Sequence, residues 1–407
     1  MSRGDRLIIG MVGTRFAGLD GVTLESAKVA DVLREAGHEV VWFAGELGPD
    51  FTPGVVDPAA HFLSPENRAL NQACFGSETR TEGTSAILLE RTAALKDSLA
   101  EFVEKHSVDA IMPQNALAIP LQLPLGMAIT EFVGEHGIPA VAHGHDFAWE
   151  RDRFAVNAIG DVLATAFPPP GPEFDHLVIN SLQRDELISR TARSPVVLPN
   201  VMDFETGPPE SNGARFRREA GLGDSDVVLL QPTRIIPRKN IEASIELAAR
   251  LSDERVRLVI THPEQDEGGT YWPMLQQQAA DAGVDLRLRP VGAPGGATLG
   301  DAYAAADLVL YPTVIEGFGN ALVEAMFYRR PVLVNRYPVY ARDIGPTGVR
   351  AIEIDDGFVT SATVEQAAAW LADAAEWGDS VEENYQVGLD HFSYAVVRDR
   401  VLPLFGD

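Results

Sequence analysis

Cysteine and long apolar runs are both scarce in this sequence, and each shortage excludes a class of protein. Cys74 is the only cysteine among the 407 residues, so neither an intrachain disulfide bond nor a cysteine-based metal site can form. No stretch of 18 apolar residues occurs, and the opening residues, MSRGDRLIIG, lack the apolar segment of a signal peptide. We therefore expect a cytoplasmic protein without a transmembrane helix.

Basic residues are also in short supply. The chain has 59 Asp and Glu against 33 Lys and Arg, which gives a formal net charge of −26. Lysine is especially rare and occurs only as Lys28, Lys96, Lys105 and Lys239. A surface of this charge repels nucleic acid and anionic lipid, so we expect neither nucleic acid nor a membrane as a partner.

The alternation of strands and helices predicts two α/β domains, as expected for a chain of this length. An apolar run over 6–13, a glycine-containing loop, a helix over 22–36 and a second strand form the start of a doubly wound domain. The loop, TRFAGLDG, lacks the G-x-G-x-x-G pattern, so NAD is excluded as a cofactor. We place the first domain at 1–200, with 45–84 irregular, and the second at 205–384.

The most informative stretch runs from Asp307 to Val334 and has the pattern strand, loop, helix, strand. Glu316 lies on the loop, and Glu324 follows it after seven intervening residues, inside a helix for which Asn320 is the predicted N-cap. The loop amides and the helix N-terminus favour an anion. Carboxylates on both sides of such an anion site can bind hydroxyl groups, which matches the layout of a sugar nucleotide.

Two cations follow the first strand of the second domain. Arg234 and Lys239 lie five residues apart, on the loop and helix start after the strand over 227–231. Arginine can bind a pyrophosphate as a bidentate fork, and lysine can bind it as a point charge. The alternative is a solvated run of charges that also includes Arg238.

Histidine and carboxylate side chains collect where the predicted strand over 139–143 ends. The sequence there is HGHDFAWERDRF, and open α/β sheets place ligands at this end of their strands. His143, His145 and Asp146 do not suit a metal, because residues i and i+2 of an extended strand point apart and no third ligand is evident. The next polar and aromatic residues either line an acceptor site or serve as caps and salt bridges: Trp149, Glu150, Arg151 and Arg153.

The stretch EGFGNALVEAM, with YPT before it and RPVLV after it, resembles the nucleotide-sugar motif of the retaining glycosyltransferases of family 4, which have the GT-B fold. The resemblance covers nearly the whole chain and is most specific from Arg234 to Val334. It implies two Rossmann-like, doubly wound α/β domains that face each other across a cleft, with the nucleotide sugar mainly on the second. It also implies that a closing helix, at about 385–407, packs back on the first domain.

The resemblance also assigns site residues at matching positions. Catalytic roles fall to His145, Glu316, Arg234 and Lys239. Contacts with the donor fall to Gly21, Arg234, Lys239, Val291, Glu316, Gly317, Phe318, Gly319, Asn320, Leu322, Val323 and Glu324. The acceptor positions are Asp20, His143, Asp146, Trp149 and Arg151. One departure is the loop over 261–269, THPEQDEGG, which stands where the family often has a G-x-G turn.

These features predict a retaining glycosyltransferase. It would move a hexose from a nucleotide-diphosphate sugar, of the UDP-glucose or GDP-mannose type, to a small soluble acceptor such as a sugar, polyol or sugar acid. The family implies front-face displacement without an essential metal or other cofactor, because Arg234, Lys239 and a helix N-terminus supply the positive field. The first domain lacks a basic amphipathic helix, which favours a soluble acceptor over a lipid. The alternatives are a nucleotide-sugar epimerase on the same fold and a sugar-nucleotide-binding protein without catalysis; no feature predicts an oligomeric state.

Overall fold

The computed structural model describes residues 6–18, 20–263 and 270–406. The chain divides into two compact units. The first contains the described residues up to Pro199 together with those from Ala395 onward, and the second extends from Asn200 to Tyr394. Each unit is built on one parallel sheet with helices between its strands, which is the Rossmann-like α/β architecture that the sequence predicts.

Seven strands form the sheet of the first unit: β1 (Ile8–Val12), β2 (Glu39–Ala44), β3 (Gly54–Val56), β4 (Ala110–Pro113), β5 (Ala140–Gly144), β6 (Phe174–Val178) and β7 (Val196–Val197). They lie in the order β3-β2-β1-β4-β5-β6-β7, and the paired strands are parallel. The order along the chain reverses between β1 and β4. A doubly wound sheet opens its ligand crevice at such a point, at the carboxyl ends of the strands.

The α-helices of the first unit pack on this sheet and bury Phe43, Ile111 and Phe132 in one core. Asp20 caps the first helix by accepting a hydrogen bond of 3.1 Å from the backbone N–H of Thr23. The helices between the strands are α1 (Gly21–Glu35), α2 (Pro65–Cys74), α3 (Thr84–His106), α4 (Leu123–His136), α5 (Gly160–Ala166) and α6 (Ser181–Thr191).

The prediction that residues 45–84 are irregular is wrong in part, because they contain β3 and α2. The Oγ of Ser64 accepts a hydrogen bond of 3.3 Å from the backbone N–H of Asn67, and Pro65 occupies the first helical turn. A serine cap followed by proline is an ordinary helix-start signal. The many prolines and glycines in residues 45–84 led to the prediction of an irregular segment instead.

The second unit has six strands: β8 (Val227–Gln231), β9 (Val256–Ile260), β10 (Asp285–Leu288), β11 (Leu308–Tyr311), β12 (Val332–Asn335) and β13 (Ile352–Ile354). They are parallel and lie in the order β10-β9-β8-β11-β12-β13, so the reversal falls between β8 and β11. The sequence predicted all of these strands except β13, which is three residues long. Leu229, Leu258 and Leu310 are fully buried in the core of this unit.

The helices of the second unit are α7 (Gly213–Glu219), α8 (Ile241–Leu251), α9 (Tyr271–Asp281), α10 (Leu299–Ala305), α11 (Asn320–Phe327), α12 (Ser361–Ala372) and α13 (Gly378–His391). α8 is strongly amphipathic, with Ile241, Ile245 and Ala248 on its buried face. No helix in the part of the chain that the structure describes has the length and apolar character needed to cross a membrane.

The end of the chain differs from the prediction of one closing helix over about 385–407. α13 ends just before Phe392, whose side chain is buried. A separate helix follows, α14 (Tyr394–Val401). α13 belongs to the second unit, and only the residues from Ala395 onward group with the first. The second unit therefore extends further along the chain than the predicted boundary at residue 384.

Candidate active site

Charged side chains meet at the carboxyl ends of β8 and β11, where the strand order of the second sheet reverses. Arg238 and Lys239 lie in a short 3₁₀ turn after β8, and Glu316 lies on the loop after β11. The Nη1 atom of Arg238 lies 2.7 and 3.0 Å from the two carboxylate oxygens of Glu316, and Lys239 Nζ donates to the same carboxylate. The hydroxyl of Tyr311 donates to it as well, at 3.1 Å.

The charges in this cluster are stabilised by pairing rather than by solvent. The side chains of Lys239 and Glu316 are 9% and 15% exposed. Burial raises the pKa of Glu316, but the charges of Lys239 and Arg238 outweigh it and lower the pKa to about 2. Burial lowers the pKa of Lys239, and the carboxylate of Glu316 opposes that shift. One carboxylate between two cationic side chains leaves an excess of positive charge, which suits an anionic ligand such as a phosphate.

Arg234 lies beside this cluster in a different environment. Its guanidinium is half-buried and forms no ion pair or hydrogen bond with a residue that the structure describes. Burial lowers the pKa of the His262 imidazole at the end of β9, and the charges of Arg234 and Lys239 lower it further. Arg234 and Lys239 thus both lie close enough to His262 for their charges to act on it. Arg238 and His262 were not predicted as site residues, although they follow the neighbouring strands β8 and β9. Residues 264–269 of the divergent loop lie outside the described chain.

Glu324, the second glutamate of the motif, has a neutral partner. The hydroxyl of Tyr303 donates to Glu324 Oε2 at 2.7 Å, and the ring of Tyr328 stacks on that of Tyr303 with 4.9 Å between centroids. Burial, followed by the charge of Glu324, raises the pKa of Tyr303 well above its usual value, so the phenol remains a donor. The two glutamates are therefore held differently, Glu316 by cations and Glu324 by a phenol.

The start of α11 is not capped as the sequence predicts. The N-cap residue is Gly319, with φ of 131°, and it makes no side-chain capping hydrogen bond. Asn320 is the first helical residue instead, and its Oδ1 accepts a hydrogen bond from Asn200. A Cβ atom at Gly319 would collide with the hydroxyl of Tyr337, which donates to the carbonyl of Phe318. Gly319 therefore places no side chain at the start of α11, where the positive end of the helix favours an anion.

The remaining predicted donor contacts fall into two groups. Phe318, Leu322 and Val323 have buried side chains, 3%, 0% and 1% exposed, so only their backbone atoms are available to a ligand. The others lie on loops or helix starts at the carboxyl ends of strands: Gly317 after β11, Val291 after β10 and Gly21 at the start of α1.

Two histidines and a glutamine form a buried cluster at the carboxyl ends of β4 and β5 in the first unit. His143 Nδ1 lies 3.0 Å and His145 Nε2 lies 3.4 Å from the side-chain oxygen of Gln114, and the two rings are 4.1 Å apart. Burial lowers the pKa of His145 to about 4 and that of His143 well below its ordinary value, so both rings are neutral at pH 7. One amide oxygen faces both rings, which makes Gln114 the residue that orients them. It was not among the predicted residues. The feature of the sequence that could have indicated it is its position directly after β4.

The predicted acceptor residues of the first unit have structural partners. Asp20 caps α1, and Arg151 forms an ion pair of 2.5 Å with Asp146. The ring of Trp149 stacks on that of Phe147 at 4.5 Å. These contacts fit the alternative of caps and salt bridges, and contact with an acceptor stays a prediction. Among the described residues, no group of three or more His, Cys, Asp or Glu is arranged to hold a metal ion.

Comparison with known proteins defines the class of this protein. Residues 214–380 match the family described as "Glycosyl transferases group 1". The whole fold is similar to that of the Anabaena protein HepE, solved in complex with UDP-glucose, with a TM-score of 0.66 at 14% identity over 98% of this chain and 99% of that one. The protein is thus a glycosyltransferase with the GT-B fold.

Two relatives narrow this class. The chain is 31% identical to a mannosylglucosylglycerate synthase of Thermotoga maritima, over 96% of this chain and 98% of that protein. It is 29% identical to a synthase of the same name from Petrotoga mobilis, over 85% of this chain and 86% of that protein. The chain belongs to the glycosyltransferase family that includes these synthases.

Proposed function

We propose that this protein is a retaining, family 4 hexosyltransferase that moves a mannosyl group from a nucleotide-diphosphate sugar to glucosylglycerate. The observation that carries the proposal is the buried Glu316–Arg238–Lys239 cluster, which lies at the reversal point of the second sheet. A full-length relative at 31% identity supports the acceptor, because its name describes a product with mannosyl, glucosyl and glycerate parts. A glycosylated sugar acid also agrees with the small soluble acceptor expected from the sequence.

In this proposal the second unit holds the donor. Arg234 and Lys239 bind the diphosphate, and the N-terminus of α11 adds to the positive field. Glu316, fixed by Arg238, accepts hydrogen bonds from the sugar hydroxyls. Glu324 does the same for the ribose. The positive groups replace a divalent cation, so no metal is required.

The reaction is a front-face displacement. The bond between the anomeric carbon and the phosphate oxygen breaks, the acceptor oxygen bonds to that carbon on the same face, and the acceptor proton passes to the leaving phosphate. The enzyme stabilises the phosphate charge and orients the sugar. His145, which is neutral at pH 7, contacts the transferred sugar as a hydrogen-bonding group.

The test is product analysis with defined substrates. The purified protein is incubated with GDP-mannose, and in parallel with UDP-glucose, in the presence of glucosylglycerate and of EDTA. We expect GDP-mannose to give a product one hexose heavier, with an α-linked anomeric signal in its proton NMR spectrum, and EDTA to leave the rate largely intact. Transfer from UDP-glucose alone would change the donor assignment.

Other results would support the alternatives. A β-linked product would contradict retention, and activity lost with EDTA and restored by Mg²⁺ or Mn²⁺ would contradict metal independence. Turnover of the nucleotide sugar without an acceptor would support an epimerase. Nucleotide-sugar binding without turnover under any condition would support a binding protein.

A further inference from the structure

A cavity of about 60 Å³ lies within the first unit and shares no residue with the predicted site. It is partly open to solvent and is lined by the segment from β3 to α2, by α3 and by the start of α4. Its wall includes Asp57, Ser64, Asn67, Arg91, Ala94 and Gln122. A cavity of this size has room for roughly four water molecules, or for one molecule of three or four carbons.

Two buried amide side chains in this wall each keep an oxygen without a partner. Asn67 is 2% exposed, and its Nδ2 donates to the carbonyls of Phe62 and Leu121 at 2.7 Å each, whereas its Oδ1 has no partner. Gln122 is 3% exposed, and its Nε2 donates to the carbonyl of Ala59 at 2.6 Å, whereas its Oε1 has no partner. Each unsatisfied buried oxygen costs roughly 1–3 kcal/mol, so a ligand with hydroxyl donors would relieve both.

Arg91 supplies a positive charge to the same cavity. Its side chain is half-buried, and its guanidinium has no ion pair or hydrogen bond with a residue of the described chain. Acidic residues outnumber basic ones by 59 to 33 in this sequence, so a guanidinium without a carboxylate partner is conspicuous. The planar guanidinium fork fits a carboxylate through two parallel hydrogen bonds. The missing partner is therefore best supplied by an anionic ligand.

The other polar groups favour hydroxyls on that ligand. The Oδ1 of Asp57 accepts from the backbone N–H of Ala59 at 2.9 Å, which leaves its second oxygen to accept from a ligand. Asp57, Asn67 and Gln122 are thus all acceptors, and Arg91 is the cationic donor. We propose that the cavity binds a small hydroxycarboxylate, with its carboxylate on Arg91 and its hydroxyl groups on the oxygens of Asn67 and Gln122 that lack a hydrogen-bond partner.

One ordered loop connects this cavity with the buried histidines. The loop starts at Gln114, which contacts both imidazoles, and ends at Gln122 in the cavity wall. Between them, Asn115 Oδ1 accepts hydrogen bonds of 2.9 and 3.0 Å from the backbone N–H groups of His145 and Asp146. If the acceptor is glucosylglycerate, which rests on the proposed function, the cavity receives its glycerate end.

Binding of the small acid is tested first, by calorimetry with D-glycerate. D-Glycerate is compared with glycerol, which lacks the carboxylate, and with propionate, which lacks the hydroxyls. We expect D-glycerate to bind the wild-type protein at least tenfold more tightly than either analogue. Arg91→Gln should weaken its binding at least tenfold, and Ala94→Leu, which adds apolar volume to the cavity wall from α3, should do the same. Arg68→Gln, an exposed arginine on α2, is the matched control and should bind normally.

Kinetics separate this proposal from the proposed function. Arg91→Gln should raise the KM for the acceptor at least tenfold and leave the KM for the donor unchanged. If D-glycerate binds and the Arg91 variant loses it, the cavity assignment holds even when no sugar transfer is found. If D-glycerate does not bind the wild-type protein, or if both cavity variants bind it normally, the assignment is overturned even when the transferase activity is confirmed.

Discussion

The two units carry the same strand order around their reversal points, β3-β2-β1-β4 in one and β10-β9-β8-β11 in the other, but the groups placed there differ in charge. The second unit places Glu316 between Arg238 and Lys239. The first places two neutral imidazoles around the amide of Gln114. The common topology therefore decides where a ligand lies, and the side chains decide which chemistry it meets.

Burial disfavours charge in both clusters, but only one of them keeps its charges. In the second unit each buried charge has an opposite charge within hydrogen-bonding distance, so Glu316 stays ionised although burial raises its pKa. In the first unit burial outweighs the more distant Asp146 and Asp20, so His145 loses its charge. A charged cluster suits a diphosphate, whereas a neutral cluster of donors and acceptors suits the hydroxyls of a sugar.

The largest effect that separates the clusters is expected from Glu316→Gln, measured as the free energy of unfolding in urea at pH 7. The change removes the carboxylate that both Lys239 and Arg238 contact, and breaking a largely buried pair in this way costs about 3–5 kcal/mol. The matched control is Glu246→Gln on α8, which removes an exposed pair with Arg250 and should cost less than about 1 kcal/mol. Equal losses in the two variants would show that the Glu316 cluster is solvated.

Acid should weaken the neutral cluster before the charged one. The pKa of His145 is about 4 in the folded chain against 6.5 ordinarily, so the unfolded chain binds its proton first as the pH falls. The stability that His145 contributes is thus complete above pH 6.5 and is lost between pH 6.5 and 4, by roughly 3 kcal/mol. His143 and His176 shift in the same direction. The contribution of Glu316 is lost only below about pH 4.5, as the pH falls towards its folded pKa of about 2.

Urea unfolding at pH 7, 5.5 and 4.5 measures the loss that the histidines cause, in the range above the titration of Glu316. The wild-type protein should lose stability over this range, and His145→Gln should lose less of it because one titrating group is gone. The exposed His391 is the control, since His391→Gln should follow the wild-type curve. A wild-type stability that is constant from pH 7 to 4.5 would mean that the imidazoles are not neutralised by burial.

The next effect concerns catalysis. Lys239→Ala should lower kcat/KM by about two orders of magnitude, the scale expected for one preorganised charge contact in the transition state. The fold should persist, because Arg238 still pairs with Glu316. Lys96→Ala is the control, since Lys96 pairs with Glu131 and Glu135 on the surface of the first unit. Unchanged turnover in Lys239→Ala would make the charged cluster structural only.

The sequence could predict the elements whose signals are local. α1, β5 and β8 agree with the predicted residues to within one position, because an apolar run or an amphipathic period defines each of them. β13 was missed because three residues are too short for a pattern. Asn320 was predicted as the cap of α11 from residue type alone, whereas the crowding of Tyr337 against Gly319 depends on a residue 18 positions away.

The residues of the candidate site also divide into those with a local sequence signal and those that depend on distant residues. Glu316, Lys239 and Arg234 could be predicted because a known motif carries them at fixed spacing. Arg238 enters the sequence analysis only in the alternative of a solvated charge run, because its pairing with Glu316 joins two loops that are 78 residues apart. Gln114 could not be predicted either, because its two histidine partners lie 29 and 31 residues further along the chain.

The smallest effect, and the sharpest test of the comparison, is expected from Gln114→Glu. A carboxylate at this position would lie 3.0 and 3.4 Å from two imidazole nitrogens, and an opposite charge at that distance raises the pKa of a histidine. We expect one proton to be shared by the cluster at pH 6, where the wild-type rings are neutral, which proton NMR of the histidine ring signals would detect. Because the two rings and the carboxylate are coupled, the titration belongs to the cluster and not to one residue.

This variant makes the neutral cluster resemble the charged one, with a buried carboxylate beside groups that carry a proton. The loss of stability between pH 6.5 and 4 should shrink, because the folded chain now takes up its proton at a pH nearer to that of the unfolded chain. Gln276→Glu, an exposed change on α9, is the control for adding one carboxylate. Unchanged ring titration in Gln114→Glu would mean that the amide oxygen of Gln114 does not face the imidazoles in solution. Another residue would then have to orient the two histidines.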